Sequence, residues 1–266
     1  MLPQTVKIMK KLREINRSID NALKINEFVD SYIEECILNN QPATLITPWS
    51  LSRSFTKRHV DQGNIFIPTK NEERLFRKEI TVIINTFQEN NLTLNWWIIF
   101  SRSYIRTKSI SEELEKEYIA MIANLIEINK LEIAIVNWED DVINMNHKPN
   151  TDLFLEENFS KMIRQKDFEY ELSRRKDRAE SILLLSVPNE ELIKETKFKI
   201  ACEAEEGRFL MESNKNPLCE SGKFLFLILG RAERYHFFST LTPEFEKRIL
   251  CILKPYPWRL QQSSVP

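Results

Sequence analysis

The stretch Leu92–Ser101, LTLNWWIIFS, reads as the strongest strand of the chain. Its tryptophans and isoleucines suit a pleated, buried surface. Ser109 or Ser111 can cap a helix that runs to about Asn129, and Ser111-Glu112-Glu113-Leu114 carries part of a capping signal. Leu131–Asn137, LEIAIVN, is a further strand. Upstream, Thr44–Thr47 is a short strand of the buried type, and Asn71–Glu89 has helical period. The order strand, helix, strand, helix, strand predicts an α/β fold. Its sheet is expected to be parallel, Rossmann-like and flanked by helices.

Working outward, residues 5–38 place Ile8, Leu12, Ile15, Ile19, Leu23, Ile25, Val29, Ile33 and Ile37 at helical spacing. Residues 56–70, with His59, Gly63, Asn64 and Pro68, read as a loop, as does the acidic stretch 138–158. Helical patterns follow from Asn158 to about Glu180 and from Glu190 to about Ser213, broken at Val187-Pro188-Asn189. After a turn at Asn216-Pro217, Ser221–Arg234 reads as a third helix. Ile249–Leu253 is a late strand entering Lys254-Pro255-Tyr256-Pro257, where the prolines stiffen the exit. Residues 1–260 are expected to form one domain with a helical N-terminal segment, and 261–266 a flexible tail.

Composition narrows the function classes. Hydrophobic residues make up 42% of the 266, enough for a sizeable core. No apolar run approaches the roughly 20 residues of a membrane span, and the start leads into a charged helix rather than a signal sequence. Cys36, Cys202, Cys219 and Cys251 lie far apart, which argues for a reducing, cytoplasmic setting and against a zinc site. With only four glycines there is neither GxGxxG nor a phosphate loop, so no nucleotide or other cofactor is expected and no metal. Asp140, Asp141 and Glu139 do not have spacing that selects a cation. Net charge is −1, so any contact to nucleic acid must come from local patches.

The candidate chemistry starts at Ser50, in Ser50-Leu51-Ser52-Arg53-Ser54-Phe55, just beyond the apolar run Ala43–Thr47. A serine at a strand exit can expose a nucleophilic hydroxyl; it can equally cap the next helix. Two later segments join it: Phe198–Glu203 leading to Leu229-Gly230-Arg231-Ala232-Glu233, and Tyr256-Pro257 after the late strand. Together the three resemble the tRNA-dependent cyclodipeptide synthase family, over roughly residues 43–258. The resemblance implies a fold like the catalytic domain of class I tyrosyl- and tryptophanyl-tRNA synthetases without the ATP signature. It implies that two aminoacyl-tRNAs are joined into a cyclic dipeptide through an aminoacyl-serine.

Residue by residue, Ser50 takes the position of the family's catalytic serine and Arg53 that of its subfamily-specific residue, followed by Ser54-Phe55. Arg53 with Tyr256-Pro257 points to the Tyr-Pro subfamily. Glu233 matches the family's glutamate, which would hold or deprotonate the substrate amino group. Tyr256 would position a carbonyl or that amino group. The departures are specific. Pro48-Trp49 replaces the glycine before the serine, and a register with Ser52 as nucleophile is open. Leu229 stands where the family has tyrosine, and Tyr235 where it has proline. Tyr235 could supply the missing phenol, and Tyr235 and His236 could line the pocket with Leu229, Arg53 and Pro257.

For tRNA, Arg174, Arg175, Lys176 and Arg178 form the basic part of one expected helix, with Arg174 and Arg178 on one face. Asp167, Glu169, Glu171 and Asp177 interleave with them, so a solvated, salt-bridged helix is the alternative. The helix that family members use for tRNA is acidic here, with Glu112, Glu113, Glu115 and Glu117. Two other readings stay open. One is a Rossmann-like synthase of the isocyanide synthase type acting on a free amino acid. The other is a non-catalytic interaction protein.

Overall fold

The computed structural model describes residues 1–15, 27–49, 60–61, 64–65, 67, 69–100, 112–137, 168–169, 171–173, 175–176, 188–197, 210–211, 218–219, 222–229 and 248–252. The expected α/β architecture is present. Five strands form one sheet, β1 (Ala43–Trp49), β4 (Leu94–Phe100), β5 (Ile133–Asn137), β6 (Leu225–Leu229) and β7 (Ile249–Ile252), in the order β5-β4-β1-β6-β7. Every neighbouring pair is parallel. A short antiparallel pair, β2 (Val60–Asp61) with β3 (Asn64–Ile65), stands apart from it. The chain therefore builds outward from β1 through β4 to β5, then returns to the other side of β1 with β6 and β7. The strand order reverses between β1 and β6.

The helices present apolar stripes to this sheet. Pro3 opens α1 (Pro3–Ile15), where its missing N–H leaves no bond unmade. Thr5, Ile8, Met9 and Leu12 follow at i, i+3, i+4 and i+7 and are buried. Val29, Tyr32, Ile33 and Cys36 repeat that spacing on α2 (Glu27–Leu38). On α5 (Glu112–Ile128) the buried face is Glu115, Tyr118, Ile122, Leu125 and Ile126.

A continuous helical run is built from α3 (Thr69–Arg74), a π turn (Leu75–Ile80) and α4 (Thr81–Gln88). The Thr81 N–H reaches back to the Phe76 carbonyl, and the Thr81 hydroxyl donates to the same oxygen at 2.9 Å. Buried positions step by four through the wider turn, Glu72, Phe76 and Ile80, then continue with Ile83, Ile84 and Phe87.

Three helix-to-strand turns share one design. Asn40, Asn91 and Lys130 have φ of 50, 59 and 51°. Each follows a helix, α2, α4 or α5, and precedes a strand, β1, β4 or β5. At each, the following residue's N–H returns to the helix: Gln41 to the Cys36 carbonyl, Leu92 to Phe87, Leu131 to Ile126. The left-handed residue itself bonds to Ile37, Gln88 or Glu127. These are Schellman closures, and asparagine tolerates the left-handed conformation better than lysine does.

Two expectations are corrected. Ser221–Arg234 is not a helix: residues 225–229 are β6, a strand that lies between β1 and β7. Phe224-Leu225-Phe226-Leu227-Ile228-Leu229 is apolar throughout, and such a run has no period that separates a doubly covered strand from a buried helix. Within 56–70, which reads as loop, Val60–Asp61 and Asn64–Ile65 pair as antiparallel strands. The first strand also reaches two residues further than expected, to Trp49. Among the described residues no helix is long and apolar enough to cross a membrane.

The amino ends of the central strands are tied to α2. The Tyr32 hydroxyl accepts the Thr44 N–H at 2.8 Å and donates to the Lys223 carbonyl at 3.1 Å. The Cys219 thiol donates to that same carbonyl. Arg248, just before β7, lies over the rings of Phe28 and Phe224 at 5.3 and 5.0 Å.

Candidate functional site

In an open parallel sheet, ligands bind outside the carboxyl ends of the strands, where the strand order reverses. Here the five strands end level with one another. Trp49 pairs with Phe100, Phe100 with Asn137, and Leu229 with Ile252. The β1–β6 register, Leu45 with Leu225 and Ile46 with Phe226, brings Leu229 level with Trp49. The last residues of β5, β4, β1, β6 and β7 thus form one row, Asn137, Phe100, Trp49, Leu229 and Ile252.

At the centre of this row, where β1 ends, lies a buried polar chain. The Trp49 indole N–H donates to the Tyr118 hydroxyl at 2.9 Å, and that hydroxyl donates to Glu72 Oε1 at 2.8 Å. All three side chains are 1% exposed or less. Buried carboxylates and indoles are tolerated when hydrogen-bonded. Aromatic rings pack around the chain, Phe76 against Trp49 at 5.4 Å and Phe100 edge-on to Tyr118 at 6.1 Å. Glu115, one turn before Tyr118 on α5, is also buried. Two residues inward along β1, Thr47 Oγ1 accepts the Trp96 indole N–H at 2.8 Å. The Trp49 and Trp96 indoles are therefore anchored by polar partners.

Of the sequence-predicted site residues, Ser50, Arg53, Glu233, Tyr235, His236, Tyr256 and Pro257 lie outside the described residues, as do Arg174 and Arg178. Ser52, Glu139, Asp140 and Asp141 lie outside them too. Leu229 is the last residue of β6 and is packed in the hydrophobic core. It stands in a strand, not on the helix expected there. In the basic segment, Arg175 is half-buried and Lys176 exposed. The acidic face of α5 divides: Glu113 and Glu117 are exposed, whereas Glu115 is buried.

Sequence reasoning missed Glu72, Tyr118 and Trp49. A signal for Glu72 and for Tyr118 is present. Glu72 precedes Phe76 by four residues and falls on its helix's apolar face. Tyr118 shares the stripe of Ile122 and Leu125, and a tyrosine in a core stripe needs a partner for its hydroxyl. Among the described residues no group of three or more His, Cys, Asp or Glu side chains is placed to hold a metal ion.

No family model matches the chain, and no curated protein matches it. Among solved structures five chains match. One is the PvcA protein from Pseudomonas aeruginosa, at 12% identity over 85% of this chain and 78% of that one, with a TM-score of 0.47.

Proposed function

We propose that the chain is an aminoacyl transferase that joins two amino acids, delivered as aminoacyl-tRNAs, into a cyclic dipeptide. The observation that carries this reading is the level carboxyl edge with its order reversal between β1 and β6. Ser50 directly follows Trp49 at the end of β1. Glu233 follows Leu229 by four residues, and Tyr256 follows Ile252 by four. Neighbouring strands lie about 4.8 Å apart, and four residues span at most about 14 Å. The three groups that the family resemblance singles out thus follow three adjacent strands in sequence, each within four residues of a strand end, which supports assigning them to one site.

The chemistry divides into two transfers. Ser50 Oγ attacks the ester carbonyl of the first aminoacyl-tRNA. The ribose hydroxyl leaves with a proton, and an aminoacyl-serine remains. Glu233 then takes a proton from the ammonium of the second aminoacyl-tRNA, whose amine attacks the serine ester. Closure of the ring by the first amino group releases the second tRNA. Tyr256 and Tyr235 are the phenols available to orient carbonyl and amine. Lys176, with Arg174, Arg175 and Arg178, supplies cations for tRNA phosphates.

One observation favours the second reading, a synthase of the isocyanide type using a free amino acid. Leu229 is packed in the core at the place of the family's tyrosine. The two readings separate in one experiment. Protein incubated with aminoacyl-tRNA labelled on its amino acid is denatured and counted for bound label. The transferase reading expects label on wild type and on Glu233→Gln, which can acylate but stalls at the second transfer, and none on Ser50→Ala. Label retained by Ser50→Ala and lost in Ser52→Ala moves the nucleophile by two residues. Absence of label from any aminoacyl-tRNA on wild type refutes the transferase.

A further inference from the structure

We infer that Tyr118 and Glu72 are positioning residues: they set the geometry of the β1 exit by holding the Trp49 indole. The inference rests on the reading of that exit as the catalytic edge. Trp49 is the last residue of β1, so the sheet ladder holds its backbone from one side only along the chain. Its side chain provides the second hold. The indole is fixed at its N–H by Tyr118, from α5, and on its ring by Phe76, from the π turn. Tyr118 is fixed in turn by Glu72, so its hydroxyl proton points at the carboxylate and a lone pair faces the indole.

A trans peptide is planar and of fixed length, so any residue bonded to Trp49 has its Cα about 3.8 Å away. With Trp49 held, the direction in which the chain leaves β1 depends on one backbone rotation, the ψ of Trp49. A nucleophile displaced by about 1 Å can lose on the order of a hundredfold in rate. The three members of the chain are 1% exposed or less, so the role assigned to them is positioning rather than contact with substrate. Their effect passes through the backbone at the strand end. Thr47 and Trp96 offer an internal comparison. They form the same kind of buried indole bond, 2.8 Å long, but in the middle of the sheet rather than at its edge.

The test compares Tyr118→Phe with Thr47→Val. Each leaves one buried indole N–H without its hydroxyl and changes little volume, and Tyr118→Phe also removes the donor to Glu72 Oε1, so its thermal midpoint should fall further. Two readouts then separate positioning from stability. In 15N NMR of the deuterated full chain, Tyr118→Phe should move the Trp49 indole signal and the Ser50 backbone amide. Thr47→Val should move the Trp96 indole signal and leave the Ser50 amide in place. In the labelled aminoacyl-tRNA assay, Tyr118→Phe should slow single-turnover labelling roughly ten- to a hundredfold without weakening tRNA binding, and Thr47→Val should not. Glu72→Gln keeps an acceptor oxygen and should fall between wild type and Tyr118→Phe in both readouts. A Ser50 amide that does not move in Tyr118→Phe, or labelling slowed equally in Thr47→Val, overturns the positioning role. A shifted amide with no labelling even in wild type keeps the positioning role and removes the transferase.

Discussion

Replacing Tyr32 by phenylalanine isolates a single hydroxyl that joins three elements. That hydroxyl accepts from the buried Thr44 N–H at the start of β1 and donates to the Lys223 carbonyl that leads into β6. A phenylalanine ring keeps the packing, including the parallel contact with Phe28 at 6.2 Å, so only the hydroxyl is tested. The two abandoned groups do not weigh equally. The Lys223 carbonyl still receives the Cys219 thiol, and the Lys223 side chain is exposed. Thr44 is 6% exposed, so its N–H is left in the interior. An orphaned buried donor costs about 1–3 kcal/mol, and about 2 kcal/mol is expected here. For a chain of this size that corresponds to a fall in Tm of roughly 4–8 °C. Urea unfolding at neutral pH should show a lower midpoint with an unchanged slope. A loss below about 0.5 kcal/mol would refute the view that α2 is coupled to the strands through this bond.

Further outcomes can be checked with the same protein. Burial, with Cys36 adding to it, pushes the Tyr32 phenol far above its usual range, and burial also raises Cys36. A raised acid in the folded state contributes fully below its unfolded value, so stability should decline as pH rises from about 8.5 through 10 and beyond. Part of that decline should vanish in Tyr32→Phe; a flat profile to pH 11 would contradict the burial of both groups. Lys130→Gly should raise stability by about 1 kcal/mol, because Lys130 holds a φ of 51° that glycine adopts freely, and a fall in midpoint would show that the Lys130 side chain matters more than its backbone. Charge reversal at Arg174, Lys176 and Arg178 should weaken tRNA binding and reduce the slope of log K against log salt by about one for each phosphate that is no longer neutralised. An unchanged slope would move the tRNA surface elsewhere, with Lys7, Lys10, Lys11 and Arg13 next to be tried. ATP should show no micromolar binding by calorimetry, since no glycine-rich loop is present to cradle its phosphates.

The parts of the fold with a clear period were legible. LTLNWWIIFS and LEIAIVN are β4 and β5, and the apolar spacing of residues 71–89 and 112–129 is helix. What failed is instructive. Phe224–Leu229 has no polar residue to mark a face, so its assignment depends on the partners it finds at the sheet centre. The closures at Asn40, Asn91 and Lys130 were written in Asn39-Asn40, Asn90-Asn91 and Asn129-Lys130, each three to four residues before a strand, but this recurrence is visible only once the strands are known. Of the site, the sequence offers a serine after the first strand and a glutamate and a tyrosine after later strands, all outside the described residues. The Trp49–Tyr118–Glu72 bonds join residues 69 and 46 positions apart, a proximity that no local pattern encodes.

The π turn at Leu75–Ile80 carries a consequence for insertions and deletions in this chain. A helix that admits one such turn holds one more residue than its length needs, and the wider turn absorbs it. Upstream of it the helix faces Tyr118 through Glu72; downstream it faces the sheet through Ile83 and Phe87. Removing one exposed residue there, such as Lys78, would let the run close as ordinary α-helix, with Glu72, Phe76, Ile80, Ile83, Ile84 and Phe87 still on one stripe. A second removal, or an insertion, would turn one half by about 100° relative to the other. Either the Glu72 carboxylate or the Phe87 ring would then leave its place. The run thus has room to lose one residue between 75 and 80 and no more, whereas the exposed residues there, Arg77 and Lys78, can change in kind.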